Sequence, residues 1–149
     1  MASANDSVGI KGQVSLVLRN SKGEIKETRV SNLVVTAGKN HIADQLSSSP
    51  GQGAMSHMAL GTSATAAAAG DTALGAEIDR NALTSRTDAT NVVTYVANWA
   101  AGDATNSAIA EAGIFNAGAA GTMLSRATFT AINKAAGDTL QVTWTVTVG

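Results

Sequence analysis

The sequence predicts a mainly β fold, an antiparallel two-sheet sandwich or jelly-roll-like barrel with one short helix near residues 37–47. Three observations carry this. The C-terminal third, residues 91–148, contains runs of strict apolar and polar alternation separated by turns bearing Gly and Asn. The earlier chain repeats that rhythm in short runs, and only one stretch places apolar residues at helical spacing.

The clearest strand is Gln141 to Val148, which sends Val142, Trp144, Val146 and Val148 to one face and Thr143, Thr145 and Thr147 to the other. Period two makes this a half-buried strand. Going back to the start, residues 1–9 show no periodicity, and residues 1–11 are read as an N-terminal arm preceding a single domain, 12–149. Gln13 to Arg19 alternates, with Val14, Leu16 and Leu18 together, and Asn20-Ser21-Lys22-Gly23 turns it into Glu24 to Val30. That turn chemistry predicts a hairpin. Residues 37–47 follow as the helix, with Ile42 and Leu46 at i, i+4 and Thr36 as the expected cap, despite the cost of Gly38. Ser47 to Gly53 ends it.

Ala54 to Leu60 reads as a strand buried on both sides, with Met55, His57 and Ala59 on one face and Met58 and Leu60 on the other. Gly61 to Asp71 is alanine-rich but short and closed by Gly70, so it is expected as a loop. Residues 72–83 satisfy neither period. Val93, Tyr95 and Trp99 share a face of the next strand, Ile109, Glu111, Gly113 and Phe115 a face of the one after. Met123, Ala127 and Phe129 are expected opposite Leu124, Arg126, Thr128 and Thr130, with Asn133 to Asp138 as a polar turn before the last strand. The tally is seven or eight strands.

Composition excludes several classes of function. The chain has 149 residues, no cysteine and a net charge of −1, so disulfide and thiolate chemistry are absent and no basic field exists for phosphates. Two Trp, one Tyr and two Phe leave few platforms for base stacking, and nucleic-acid binding is not expected. No run reaches the roughly 20 apolar residues of a membrane helix, and the first residues lack the basic and apolar parts of a secretory signal, so a cytosolic origin is expected. Asn5-Asp6-Ser7 matches a glycosylation sequon by chance on that reading.

No motif for catalysis or for a cofactor can be assembled. His41 and His57 lack metal-ligand spacing, Gly61-Thr62-Ser63-Ala64-Thr65 lacks the second glycine of a nucleophile elbow, and the glycines form no phosphate-binding pattern. The chain is read as no enzyme, with no metal and no cofactor. Glu111 stands out because alternation sets it between apolar residues on an inward face. A buried carboxylate needs a partner, and Arg80 and Arg126 are both eligible for a structural ion pair. A catalytic role would need a second carboxylate, for which Glu77 and Asp79 are the candidates.

Several segments taken in order carry a family likeness: Ser31 to Lys39, Met58 to Ser63, Leu74 through Glu77 to Arg80, Ala110 to Phe115, Leu124 to Phe129 and Leu140 to Trp144. In this order the chain resembles small auxiliary virion proteins of tailed bacteriophages, and most closely the capsid cement (head decoration) proteins. The resemblance spans nearly the whole chain from about Gly12. It implies a structural protein on the outer capsid surface, made in the host cytoplasm, whose partners are the major capsid protein and itself as a dimer or trimer. Capsid contact is expected from the arm (Ala2, Ser3, Ala4, Asn5, Asp6, Ser7, Val8, Gly9, Ile10 and Lys11) and the alanine-rich loop (Gly61, Thr62, Ser63, Ala64 and Thr65 through Asp71). The alternative is a tail, fibre or neck appendage component that binds a receptor or adaptor. A glycan-binding form of it would use Trp99, for which a core position at a strand end is the competing reading.

Overall fold

The computed structural model describes residues 7–149. Ten strands and one helix follow in the order β1 (Ile10–Arg19), β2 (Ile25–Ser31), β3 (Leu33–Val34), α1 (Thr36–Gln45), β4 (His57–Gly61), β5 (Glu77–Ala82), β6 (Ser85–Ala89), β7 (Val92–Trp99), β8 (Asn106–Phe115), β9 (Met123–Lys134) and β10 (Thr139–Val148). They form two five-stranded sheets, β2-β1-β10-β7-β6 and β3-β9-β8-β4-β5. All pairings are antiparallel. The sheets pack face to face as a sandwich, as period-two patterning requires of strands with one apolar face.

Val14, Leu16, Tyr95, Ala97, Trp99, Leu140, Val142, Trp144 and Val146 supply one inner face of the core, against Met58, Leu60, Ala112, Ile114, Ala127 and Phe129 of the other sheet. The alternation of β1, β7 and β10 therefore reads straight through into burial. Only Val148, at the end of β10, stays exposed. β4 is buried on both faces, as expected, because Ala59 packs into a second apolar cluster with Val35, Leu74, Phe115 and Met123 on the far side of its sheet. The first hairpin closes as its turn residues predict: Asn20 Oδ1 accepts from the Lys22 and Glu24 N–H groups, and Gly23 takes φ +80°.

Several expectations are corrected. β1 begins at Ile10, paired with Val148, so Ile10 and Lys11 belong to the sheet, while Ala2, Ser3, Ala4, Asn5 and Asp6 lie outside the described residues. The helix ends at Gln45, leaving Leu46 exposed, and Thr36 lies inside its first turn. Val35 is the N-cap without a side-chain bond, and the Thr36 N–H is satisfied by the Ala69 carbonyl at 2.8 Å. The face assignments of β8 and β9 fail at bulges, where one extra residue flips the side chains beyond it. Phe115 pairs with Met123 but Ile114 with Ser125, so Leu124 turns into the core and Met123 out of it. A second shift sends Ile109 inward with Ala112 and Ile114, apart from Glu111 and Phe115. β6 has no counterpart among the expected strands: its five residues are exposed and it is held by pairing with β7 rather than by burial.

Candidate functional site

On the outer face of the second sheet, the segment between β4 and β5 folds back over β8 and β9. Residues 62–71 carry no helix, as expected from an uncapped alanine run. A buried ion pair holds this segment down. Glu111, fully buried on β8, and Arg126, 3% exposed on β9, meet at 2.8 Å through Nη2 and 2.9 Å through Nε. They converge because Gly113 pairs with Arg126 and Thr128 with Glu111, which sets the two long side chains diagonally on one face.

Every remaining lone pair of the carboxylate is claimed by the loop. Glu111 Oε1 accepts from Ser63 N–H at 3.2 Å and Ala76 N–H at 2.7 Å, and Oε2 accepts from Gly75 N–H at 2.9 Å. Arg126 donates from Nη1 to Asp71 at 2.9 Å and from Nη2 to the Thr65 carbonyl at 2.9 Å. Glu111 is thus buried by the loop it orders, on the side of the sheet away from the sandwich core. Gly61 makes this approach feasible, since a side chain there would collide with the Glu111 carboxylate and the Ala76 carbonyl. With its oxygens committed to donors from the loop and to Arg126, Glu111 is an anchor for the loop.

Arg80 makes no bond to Glu111. Its Nη2 pairs with Glu77 at 2.6 Å, its Nη1 donates to the Ala117 and Ala120 carbonyls at 3.0 and 2.8 Å, and its guanidinium lies over the Phe115 ring at 3.8 Å. It pins the β8–β9 turn as Arg126 pins the alanine loop. Of the two arginines eligible for Glu111, the structure selects Arg126. Asp79 joins no carboxylate pair with Glu77, which is taken by Arg80.

The remaining candidates are placed as follows. Ser7, Val8 and Gly9 are exposed next to β1, which belongs to the first sheet, whereas Gly61 to Asp71 covers the second; the two expected contact regions lie on different sheets. Within the loop, Gly61 is buried in β4, Thr62, Ser63 and Asp71 are half-buried, and Ala64, Thr65, Ala66, Ala68, Ala69 and Gly70 are exposed. Trp99 is 1% exposed and belongs to the core, which removes it as a glycan platform. His41 Nδ1 lies 3.3 Å from Gln52 Oε1, and His57 Nδ1 2.8 Å from Ser56 Oγ. Among the described residues no cluster of three His, Asp or Glu side chains can hold a metal, and no helix is long and apolar enough to cross a membrane.

Two charged residues escape the sequence reading. Asp71, read from the sequence only as a partner-contact residue, closes the ion-pair network. Lys134, expected in a polar turn, is the buried last residue of β9, donating from Nζ to the Ala100 carbonyl at 2.9 Å. Burial holds its pKa below the usual lysine range, against the opposing pull of Asp103, Asp138 and Asp79. Their places depend on long-range pairing, for which local sequence carries no signal.

Asp71 is expected to make the loop sensitive to acid. The Ala68 N–H, at 2.9 Å, and then Arg126 hold its pKa below 3.8, against a burial effect of opposite sign. A depressed carboxylate stabilises the fold fully above its unfolded pKa and loses that contribution as pH falls through the folded value. Amide exchange corrected for intrinsic rates should therefore accelerate in residues 63–76 as pH drops below 3.8, ahead of β10. Uniform protection of both segments down to global unfolding would contradict this.

Neither a protein-family model, a characterised protein nor a solved structure matches this chain.

Proposed function

We propose that this chain is a virion structural protein of a tailed bacteriophage, which binds the outer surface of an icosahedral capsid and stabilises it by bridging neighbouring capsid subunits. The observation that carries the proposal is the alanine loop fixed by Glu111 and Arg126. A buried ion pair with five donors on one carboxylate is spent on ordering a surface of small side chains, Ala64, Ala66, Ala68 and Ala69. A surface ordered in advance binds with little further loss of conformational entropy at the moment of contact, and small side chains allow close approach of another backbone. Modest contacts of this kind hold a shell through their number. The likeness of the ordered segments to cement proteins supports the same reading, with the major capsid protein as partner.

The test is copy number and position in purified particles, by quantitative mass spectrometry and electron cryomicroscopy. Copies in proportion to the major capsid protein, spread over the shell, are expected, together with loss of particle stability on stripping. A few copies confined to one vertex would move the protein to the tail or neck. Removing residues 2–8 should abolish binding to expanded capsids without lowering the melting temperature, because among the described residues the bonding of this end to the β10 end begins at the Gly9 carbonyl, which accepts from the Gly149 N–H at 2.7 Å. Full retention of binding would eliminate the arm as a contact.

A further inference from the structure

Among the described residues the outer edge of β2 is unpaired, and it carries a pattern that fits a second copy of itself. In the β1–β2 hairpin, Asn20 N–H donates to Glu24 and Asn32 N–H to Gly12, one bond at each end of the ladder. Antiparallel pairing alternates, so the backbone groups of residues 24, 26, 28, 30 and 32 face β1. Those of Ile25, Glu27, Arg29 and Ser31 point away, to the open edge. Thr28 is the midpoint of β2, so the two-fold register that overlaps the whole strand sets Ile25 opposite Ser31 and Glu27 opposite Arg29 of the second copy. In that register every outward N–H and C=O finds a partner.

Charge selects the same register. Slipping to either side centres the pair on Glu27 or on Arg29 and places like charges directly opposite, which is destabilising. Glu27 and Arg29 already meet at 2.8 Å within one chain, so the two-fold would join two such pairs into a four-charge cluster on the outer face. The ends of the edge are apolar and open: Ile25 is 56% exposed, and Leu33, just beyond Ser31, is 37% exposed. The two-fold brings Ile25 of each copy to the Ser31–Leu33 end of the other. Edge charges ordinarily block strand addition; here their order around Thr28 favours the register centred there and penalises the two nearest to it. The edge strand β6 is shorter, and its Arg86 is engaged by the Met55 carbonyl.

We propose that two copies of this chain associate through β2, antiparallel and centred on Thr28, joining their first sheets into one ten-stranded sheet. The proposal stands whether or not the protein coats a capsid. Sedimentation equilibrium over about 1 μM to 1 mM reads it directly. The full chain is expected to form a reversible dimer. Glu27→Arg, which sets arginine opposite arginine twice, should weaken the dimer at least about tenfold, and Arg29→Glu likewise. The double variant E27R/R29E should restore it. An equimolar mixture of the two single variants should form a heterodimer, because one chain then carries arginine at both positions, 27 and 29, and the other carries glutamate at both. The exposed positions of both residues keep the fold intact, which circular dichroism checks. A monomer at all concentrations, a dimer indifferent to E27R, or single variants that do not pair on mixing would each overturn the proposal.

Discussion

Glu111→Gln is expected to melt about 10 °C below the parent protein. The substitution conserves shape, so the loss isolates charge and hydrogen-bond polarity. Gln presents one amide nitrogen where the carboxylate presented an acceptor, and all five groups around it are donors: Ser63, Gly75 and Ala76 N–H with Arg126 Nε and Nη2. At least one donor is left facing another donor, and the Arg126 charge, 3% exposed, loses its buried counter-ion. Removing one partner of a buried pair costs about 3–5 kcal/mol. For a chain of this size each kcal/mol moves the midpoint by about 2–4 °C. Replacing both partners in Glu111→Leu/Arg126→Met should cost less than the sum of Glu111→Leu and Arg126→Met, because neither member of the fully buried pair is left charged without the other, and Asp71, which loses Arg126, keeps the Ala68 N–H. Thermal melts of Glu111→Gln, Glu111→Leu, Arg126→Met and the double variant decide it, and an unchanged midpoint for Glu111→Gln would remove the anchor from the account of the loop.

The second large effect is a reversal of sign at Gly38. Helix propensity alone makes Gly38→Ala a gain of about 0.5–1 kcal/mol, since glycine inside a helix is entropically costly. Tertiary packing makes it a loss. Gly38 is buried where α1 lies on β9, and a methyl group there would collide with the backbone carbonyl of Leu124. Backbone cannot swing aside as a long side chain can, so helix and sheet must separate, at about 1–3 kcal/mol for overpacking. Denaturant unfolding should show a lower midpoint at unchanged slope. A stabilised Gly38→Ala would mean that the helix stands further from β9.

The same contrast runs through the rest of the molecule. Val14 and Leu16, Tyr95 and Trp99, and Val142, Trp144 and Val146 are assigned to the core by alternation alone, because side-chain direction in a strand is a local property with period two. The Asn20–Gly23 turn is legible for the same reason: Asn and Gly act on their own backbone. The sequence by itself thus determined the sandwich class and the position of the helix within two residues; it marked Glu111 as buried but on the core-facing side, whereas the structure buries it under the loop on the opposite face. Only the tertiary structure decided which arginine Glu111 receives, where the bulges beside Ile109 and Leu124 reset the faces, that Ser85–Ala89 forms an edge strand, and that the Gly61–Asp71 loop is tied down. These outcomes depend on which distant segments become neighbours, and residues 15 and 55 apart in the chain, such as Glu111 with Arg126 and Arg126 with Asp71, leave no trace in any local period.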